Sequence, residues 1–301
     1  MYDVIIVGAR VAGSSTAMLL AGKGLRVLLV DRARFPSDTL STHQVQLPGG
    51  ARLRRWGLLD QVVVSGAPAA RKVRFDAGPV VLQGRYPAFE GVDAVYSPRR
   101  TVLDALLLEA ARAAGAEVRE QFIVEELTLE AGRVSGIRGR SKGGQPVTEA
   151  ARLVVGADGK HSLVATTVGA PVHHDRPPLT MGCYTYWHDV PLDGGEIYAR
   201  PRRAVGAWPT NDGLTLTYLA WPVEEFPAFR AAVEGNVHPR PGRRPGRAGP
   251  GRPPRRAVPG QPRPAQLLPP ALRAGVGARR GRRPGDGPGH RAGDRRRPAR
   301  R

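Results

Sequence analysis

The chain has 301 residues, 46 Lys and Arg against 26 Asp and Glu, a formal net charge of +20 and a single cysteine, Cys183. One cysteine excludes an intrachain disulfide framework and suits a reducing compartment, so a cytoplasmic protein is expected. The charge does not describe the whole chain: residues 237–301 hold 19 Arg, no Lys and two acids, for +17, which leaves the rest at +3 and argues against a nucleic-acid-binding body.

The N-terminus enters an apolar run at once, with no basic leader, and no stretch is apolar enough to predict a membrane span. Tyr2 to Val7 is short, apolar and rich in β-branched residues, which predicts a buried parallel strand. Gly8-Ala9-Arg10-Val11-Ala12-Gly13 follows. Ser14 to Ala21 predicts a helix ended by Gly22 and Gly24, and Leu25 to Val30 a second strand with Asp31 at its end. Gly8 permits the sharp turn, Gly13 lets the helix pack close to the strand, and the helix start points free N–H groups at a pyrophosphate. Asp31, 18 residues after Gly13, is placed to accept hydrogen bonds from an adenosine ribose. Glycine spacing alone is a weak signal; the strand–turn–helix–strand–acid context makes this one a dinucleotide-binding unit rather than a βαβ unit whose glycines serve only packing. Arg10 stands where the middle glycine of G-x-G-x-x-G is expected, so its side chain must swing outward or add positive charge.

Residues 32–39 form a polar loop, and Gly50 to Trp56 predicts a helix. His43 and Gln46 lie on the loop leaving the carboxyl end of the second strand, where ligands sit in open α/β sheets. For chemistry His43 is read as a loop histidine bonded to backbone; whether it lies near the ligand stays open. Residues 70–97 alternate weakly and predict a short strand pair. Ser97-Pro98-Arg99-Arg100 then opens a helix whose apolar face is Leu103, Leu106, Leu107, Ala110 and Ala114, ended by Gly115. Thr101 and Asp104 resemble a capping pair. Arg100 is a cation in the first turn, unfavourable for the helix dipole, which points to an anion meeting it; the alternative is a solvated surface arginine.

Strands are expected around Val118 and Phe122–Val124, over Arg133–Arg140 and over Val147–Val155, the last running into Gly156-Ala157-Asp158-Gly159-Lys160-His161-Ser162. This repeats the opening arrangement and presents the Asp158 carboxylate at a sheet edge, unless Asp-Gly is a simple turn. From Thr180 the chain becomes aromatic and alternating, with DGG and NDG turns, which predicts an antiparallel sheet. Tyr184, Tyr186 and His188 fall on one face, and Cys183, Thr185 and Trp187 on the other. An aromatic face suits a flat or apolar substrate, or it is simply sheet core.

The N-terminal GARVAGS-to-Asp31 unit, the Arg100-x-x-Leu103-Asp104 helix and GADGKHS together resemble FAD-dependent oxidoreductases of the aromatic-hydroxylase and geranylgeranyl-reductase type. The likeness runs across residues 1 to about 235. It implies an α/β fold: a discontinuous Rossmann-like FAD-binding domain, 1–69 and 98–168, and an antiparallel-sheet substrate domain, 70–97 and 169–235. It implies that Gly8, Ala9, Arg10, Ala12 and Gly13 hold the FAD pyrophosphate, Asp31 and Arg32 the adenosine ribose side, that Val124 lies by the adenine, and that Arg100 and Asp158 contact FAD. Members often end the G-x-D-G motif with an arginine; here Ala165 stands there. The implied activity is NAD(P)H-dependent monooxygenation of a small aromatic or polyketide-like molecule, or flavin-dependent reduction of isoprenoid double bonds; the flavin carries the chemistry, so no catalytic base is named. No metal site is expected.

The resemblance also implies a later G-D-A … D-P-x-x-G-x-G stretch, and it is absent. Residues 237–301 contain 14 prolines and no Lys, Glu, Ser, Thr, Ile, Phe, Tyr, Trp or Met. Such a composition cannot bury enough to fold, so 236–301 reads as a disordered basic tail. A frameshift near Asn236 accounts for it. Reading each codon's last two bases with the first base of the next permits G-D-A from Arg280 to Arg283 and D-P-V-T-G-Q-G-I from Gly287 to Arg295. The competing readings are a genuine basic arm for nucleic acid or anionic membrane, and an inactive truncated flavoprotein.

Overall fold

The computed structural model describes residues 1–41, 43–231 and 266–268. All lie in the first of two compact units, Met1–Pro270; the second, Ala271–Arg301, is outside the described residues, as is nearly all of the basic tail.

β1 (Tyr2–Val7) turns at Gly8 into α1 (Val11–Ala21), and β2 (Val27–Val30) follows, buried throughout. The helix starts three residues before the predicted Ser14, because Gly13 is needed inside its first turn: a Cβ there would lie 1.7 Å from the Gly8 carbonyl oxygen. α2 (Leu47–Arg55) carries a proline at its start, where no N–H partner is lost, and α3 (Leu59–Val64), which the sequence reading missed, is short. β3 (Ala69–Ala70), β4 (Lys72–Asp76), β5 (Val81–Arg85) and β6 (Val95–Tyr96) come next.

α4 (Arg100–Ala113) is buried over a wider face than the predicted stripe. Leu108 and Ala111 pack with Val4, Ile6 and Ala17 of β1 and α1, whereas Leu103 and Leu107 pack with Leu53, Val62 and Tyr96. The helix is thus a wedge between two apolar clusters. The expected Thr101–Asp104 capping pair is not formed: the start of α4 has no side-chain cap, and Asp104 bonds arginines instead. Asp104 sits one full turn inside the helix, on its buried side, where a desolvated carboxylate needs cations more than backbone N–H groups.

β7 (Glu117–Arg119), β8 (Phe122–Glu130), β9 (Arg133–Ser141) and β10 (Val147–Gly156) lead to α5 (Leu163–Thr167), capped by the Ser162 hydroxyl, which accepts from the Ala165 N–H. β11 (Thr180–Trp187), β12 (Gly195–Arg200), β13 (Arg203–Pro209), β14 (Thr215–Pro222), α6 (Phe226–Ala231) and β15 (Gln266–Leu268) complete the described chain.

Two main sheets result. The six-stranded sheet has the order β7-β2-β1-β10-β9-β8, parallel from β7 to β10 and antiparallel beyond. The seven-stranded sheet has the order β15-β11-β14-β13-β12-β4-β5, antiparallel except where β12 meets β4. The predicted strand pair at 70–97 therefore joins the aromatic strands far along the chain. Register positions the site: Val7 pairs with Val30 on one side and Gly156 on the other. Gly8, Asp31 and Ala157 thus leave three adjacent parallel strands at the same level. No helix among the described residues is long and apolar enough to cross a membrane.

Candidate functional site

The Gly8 turn is built for close approach. Gly8 has φ 102°, and a Cβ on it would lie 2.4 Å from the Ala157 carbonyl oxygen. Only glycine combines that left-handed backbone with that contact. Its N–H donates to the Val30 oxygen at 2.8 Å, and the Ala157 N–H donates to the Val7 oxygen at 2.8 Å, which locks the three strand ends together.

Around this turn lies a cleft of about 310 Å³. Gly8, Asp31, Arg32, Val124 and Asp158, half of the ten predicted site residues, line it together with Lys160 and His161, which the sequence reading passed over. Their adjacency to Asp158 was the available signal. The Asp31 carboxylate accepts from the Ala9 N–H and the Ala33 N–H, both at 2.7 Å, so it stiffens the turn as well as facing the cleft. One Asp158 oxygen accepts from the Val164 N–H at 3.3 Å; the other, Oδ1, is buried without a hydrogen-bond partner. An acceptor buried without a partner on a residue that lines a cleft suits a ligand that brings a hydroxyl or N–H donor. The glycine turn, the α1 N-terminus and this open acceptor fit a dinucleotide carrying ribose hydroxyls and a pyrophosphate.

The other predicted residues stand differently. Ala9 is fully buried, Gly13 packs α1 on β1, and Ala12 is exposed on α1. Arg10 and Arg100 do not line the cleft. Both reach Asp104, which is 0 % exposed: Arg10 at 2.6 Å, Arg100 through Nε at 2.9 Å and a terminal nitrogen at 3.0 Å. The anion that Arg100 meets is therefore on its own helix, and the Arg10 side chain swings away from the turn to that carboxylate and to the Ser37 oxygen at 2.8 Å.

A second cluster lies between the two sheets' elements. His43 is 3 % exposed and has φ 62°. Its Nδ1 lies 2.8 Å from the Ser41 oxygen and its Nε2 2.7 Å from the Tyr186 hydroxyl. Its ring meets those of Tyr184 and Tyr186 edge-on at 5.1 and 5.7 Å, and the Arg99 guanidinium lies 5.0 Å over Tyr186. Burial holds His43 below its ordinary proton affinity and raises that of the Tyr184 phenol. The expected sharing of a face by Tyr184 and Tyr186 is real, but His188 lies past the end of β11 and is exposed. A further cavity of about 420 Å³ between β4, β5 and β12 shares no residue with either cluster, and its Lys72 and Asp193 are paired at 2.5 Å.

The profile of a family described as an FAD binding domain matches residues 1–228. Among curated proteins, the chain is 27% identical over 215 residues to digeranylgeranylglycerophospholipid reductase 1 of Methanococcoides burtonii, covering 67% of this chain and 52% of that protein. It is 30% identical over 195 residues to protein FixC of Salmonella typhi, covering 60% and 42%. The chain thus spans about half the length of the curated relatives it matches. Among solved structures, the myxobacterial chondrochloren halogenase CndH superposes with a TM-score of 0.70 at 25% identity, over 78% of this chain and 56% of that one. Pseudomonas aeruginosa PqsL, solved with 2-aminobenzoylacetate, superposes with a TM-score of 0.64 at 20% identity, over 76% and 63%, a likeness of fold.

Proposed function

The chain belongs to the FAD-binding-domain family of flavin-dependent oxidoreductases, and from that premise we propose that it is an NAD(P)H-dependent monooxygenase of a small aromatic or polyketide-like molecule. The observation that carries the cofactor half of this reading is the cleft in which Gly8, Asp31, Val124 and Asp158 converge beside an unpartnered carboxylate oxygen. When bound, FAD supplies the redox chemistry, taking electrons from NAD(P)H and delivering them to oxygen or to the substrate.

The chain's own residues bind and orient. Gly8 and Gly13 let the turn, α1 and Ala157 pack closely, and the amides of the first turn of α1, from Val11 to Gly13, would face the pyrophosphate with the helix dipole behind them. Asp31 and Arg32 meet the adenosine ribose side, and Val124 gives the adenine an apolar wall. Asp158 would accept from a ribose hydroxyl, the kind of donor its unpartnered Oδ1 lacks. Arg10 and Arg100 outweigh the Asp104 carboxylate between them, so this cluster near the heads of α1 and α4 carries a surplus positive charge, whose field favours an anion in the neighbourhood without touching it. The face of β11 that carries Tyr184 and Tyr186 supports a flat substrate.

The names of the curated reductases favour a second reading, hydride transfer to an isoprenoid double bond. NADPH oxidation with oxygen uptake and a hydroxylated product supports monooxygenation. NADPH oxidation without oxygen uptake, with a saturated prenyl chain as product, replaces it with reduction.

A further inference from the structure

The hairpin of β4 and β5 forms one edge of the seven-stranded sheet, and the cavity beside it shares no residue with the nucleotide cleft. Its tip, Ala77-Gly78-Pro79-Val80-Val81-Leu82, holds no charged side chain. Val80, Val81 and Leu82 are 54, 43 and 62 % exposed, and Phe75, directly opposite Leu82, is 38 % exposed. The hairpin thus ends in an apolar patch turned to water. The Ala77 N–H donates to the Val80 oxygen and the Gly78 N–H to Asp76 Oδ1, both at 2.9 Å, and Pro79 has no N–H. These donors are satisfied from within the hairpin, the condition for entering a medium of low polarity. Asp76 is the only acid between Lys72 and Arg85. It is 8 % exposed and is bridged by Arg74 and Arg200, each at 2.9 Å.

The cations begin beyond the tip. Side chains alternate between faces along a strand, and directly paired residues share a face. Phe75 and Leu82 therefore lie on one face, and Lys72, Arg74 and Arg85 on the other. Those three line the cavity of about 420 Å³ together with Gln83. Lys72 pairs with Asp193 and Arg74 with Asp76, while Arg85 has no ion pair among the described residues. Arg85 stands three residues from Leu82, roughly 10 Å along a strand. An apolar element at a bilayer surface sinks about 5–10 Å into the boundary of headgroups and acyl chains. With Leu82 at that depth, Arg85 stands at the level of the phosphates.

We propose that this hairpin docks the protein on an anionic lipid surface. Phe75, Val80, Val81 and Leu82 enter the acyl boundary, and Arg85, at the cavity beside them, takes a lipid phosphate. The charge selects this occupant: anionic headgroups complement the cations behind the tip, whereas a second copy would set one cationic hairpin against another.

The test uses the full 301-residue chain with vesicles of phosphatidylcholine alone and of phosphatidylcholine mixed with phosphatidylglycerol. An environment-sensitive fluorophore is attached at Leu82→Cys in a Cys183→Ala background. The control carries it at Leu129→Cys, a leucine 60 % exposed on the six-stranded sheet. On mixed vesicles the probe at position 82 should shift to the blue and be quenched by spin-labelled acyl chains, and the control should do neither. Val81→Asp with Leu82→Asp should lower vesicle partition at least tenfold. Arg85→Gln should lower it about fivefold, on mixed vesicles only. All three positions are exposed, so unchanged urea midpoints show that the variants fold. The arginine-rich residues 237–301 attract anionic lipid equally in every variant, so differences between variants belong to the hairpin. A parent that does not partition, or one that partitions no better than the double variant, overturns the proposal. So does a probe at position 82 that stays as wet as the control on bound protein, which assigns the attachment to the basic residues. Equal partition of Arg85→Gln and parent on mixed vesicles overturns the phosphate contact. Self-association lost in the double variant at unchanged partition assigns the tip to a second copy instead. None of these readouts involves FAD or NAD(P)H, so the oxidoreductase reading stands or falls separately.

Discussion

Arg10 and Asp104 lie 94 positions apart and meet at 2.6 Å, with the carboxylate completely buried. Arg10 occupies the place of the expected middle glycine, so the departure from the glycine pattern is a tie between the head of α1 and the first turns of α4. Arg10→Gly restores the pattern and removes the tie. It should lower stability by about 1.5–3 kcal/mol, the range for a hydrogen bond to a charged group. Asp104→Leu strands two guanidinium groups and should cost about 3–5 kcal/mol. Urea unfolding of both variants checks the order; an Arg10→Gly protein as stable as the parent removes the tie.

Gly8 and Gly24 both have positive φ, but a Cβ on Gly24 meets nothing within 4 Å. Gly24→Ala should therefore lose only the backbone penalty, about 1–2 kcal/mol. Gly8→Ala adds the collision with Ala157 and should weaken FAD binding at least tenfold as well. Flavin fluorescence titration and thermal unfolding of the pair separate the two effects.

Asp158 has one weakly engaged oxygen and one open one. Asp158→Ala should change unfolding by less than about 1 kcal/mol, while weakening FAD binding roughly tenfold, the loss of a charge-assisted hydrogen bond. Unchanged affinity by equilibrium dialysis would take Asp158 out of the cofactor site.

His43 is held below its ordinary value of 6.5, with burial as the leading cause. The unfolded chain then binds the proton more readily than the folded one. Stability from this group is full above the unfolded value and falls as pH drops from there toward the folded value, below which it falls no further. Urea midpoints between pH 7.5 and 5 should decline in the wild type and decline less in His43→Gln. Parallel curves would mean that His43 does not titrate this way.

The arginine-rich residues 237–301 carry their own prediction. The coding nucleotides should hold an open second frame with the G-D-A and D-P-V-T-G-Q-G-I stretches, and stops there would end the frameshift reading. The 301-residue chain should retain little FAD after gel filtration, since the implied segment would have walled the cofactor. The restored frame should retain a visible flavin band. Stoichiometric FAD on the 301-residue chain contradicts this.

The order strand, turn, helix, strand and acid from Tyr2 to Asp31 was legible in the sequence, because every requirement in it is local: β-branched runs for buried strands, Gly8 for the turn and Gly13 for the close approach. The strand pair at β4 and β5 and the alternation of Tyr184 and Tyr186 were legible for the same reason. Tertiary structure alone decided the partners. Periodicity says which face a side chain takes and nothing about what lies opposite. Asp104 read as a cap until Arg10 and Arg100 closed on it, and His43 read as a loop residue until Tyr186, 143 positions away, met its Nε2. Gly8 needed Ala157 beneath it before its lack of a side chain had a second cause. Local sequence sets the backbone of the site; the sheet register that aligns Val7, Val30 and Gly156 sets which residues share it.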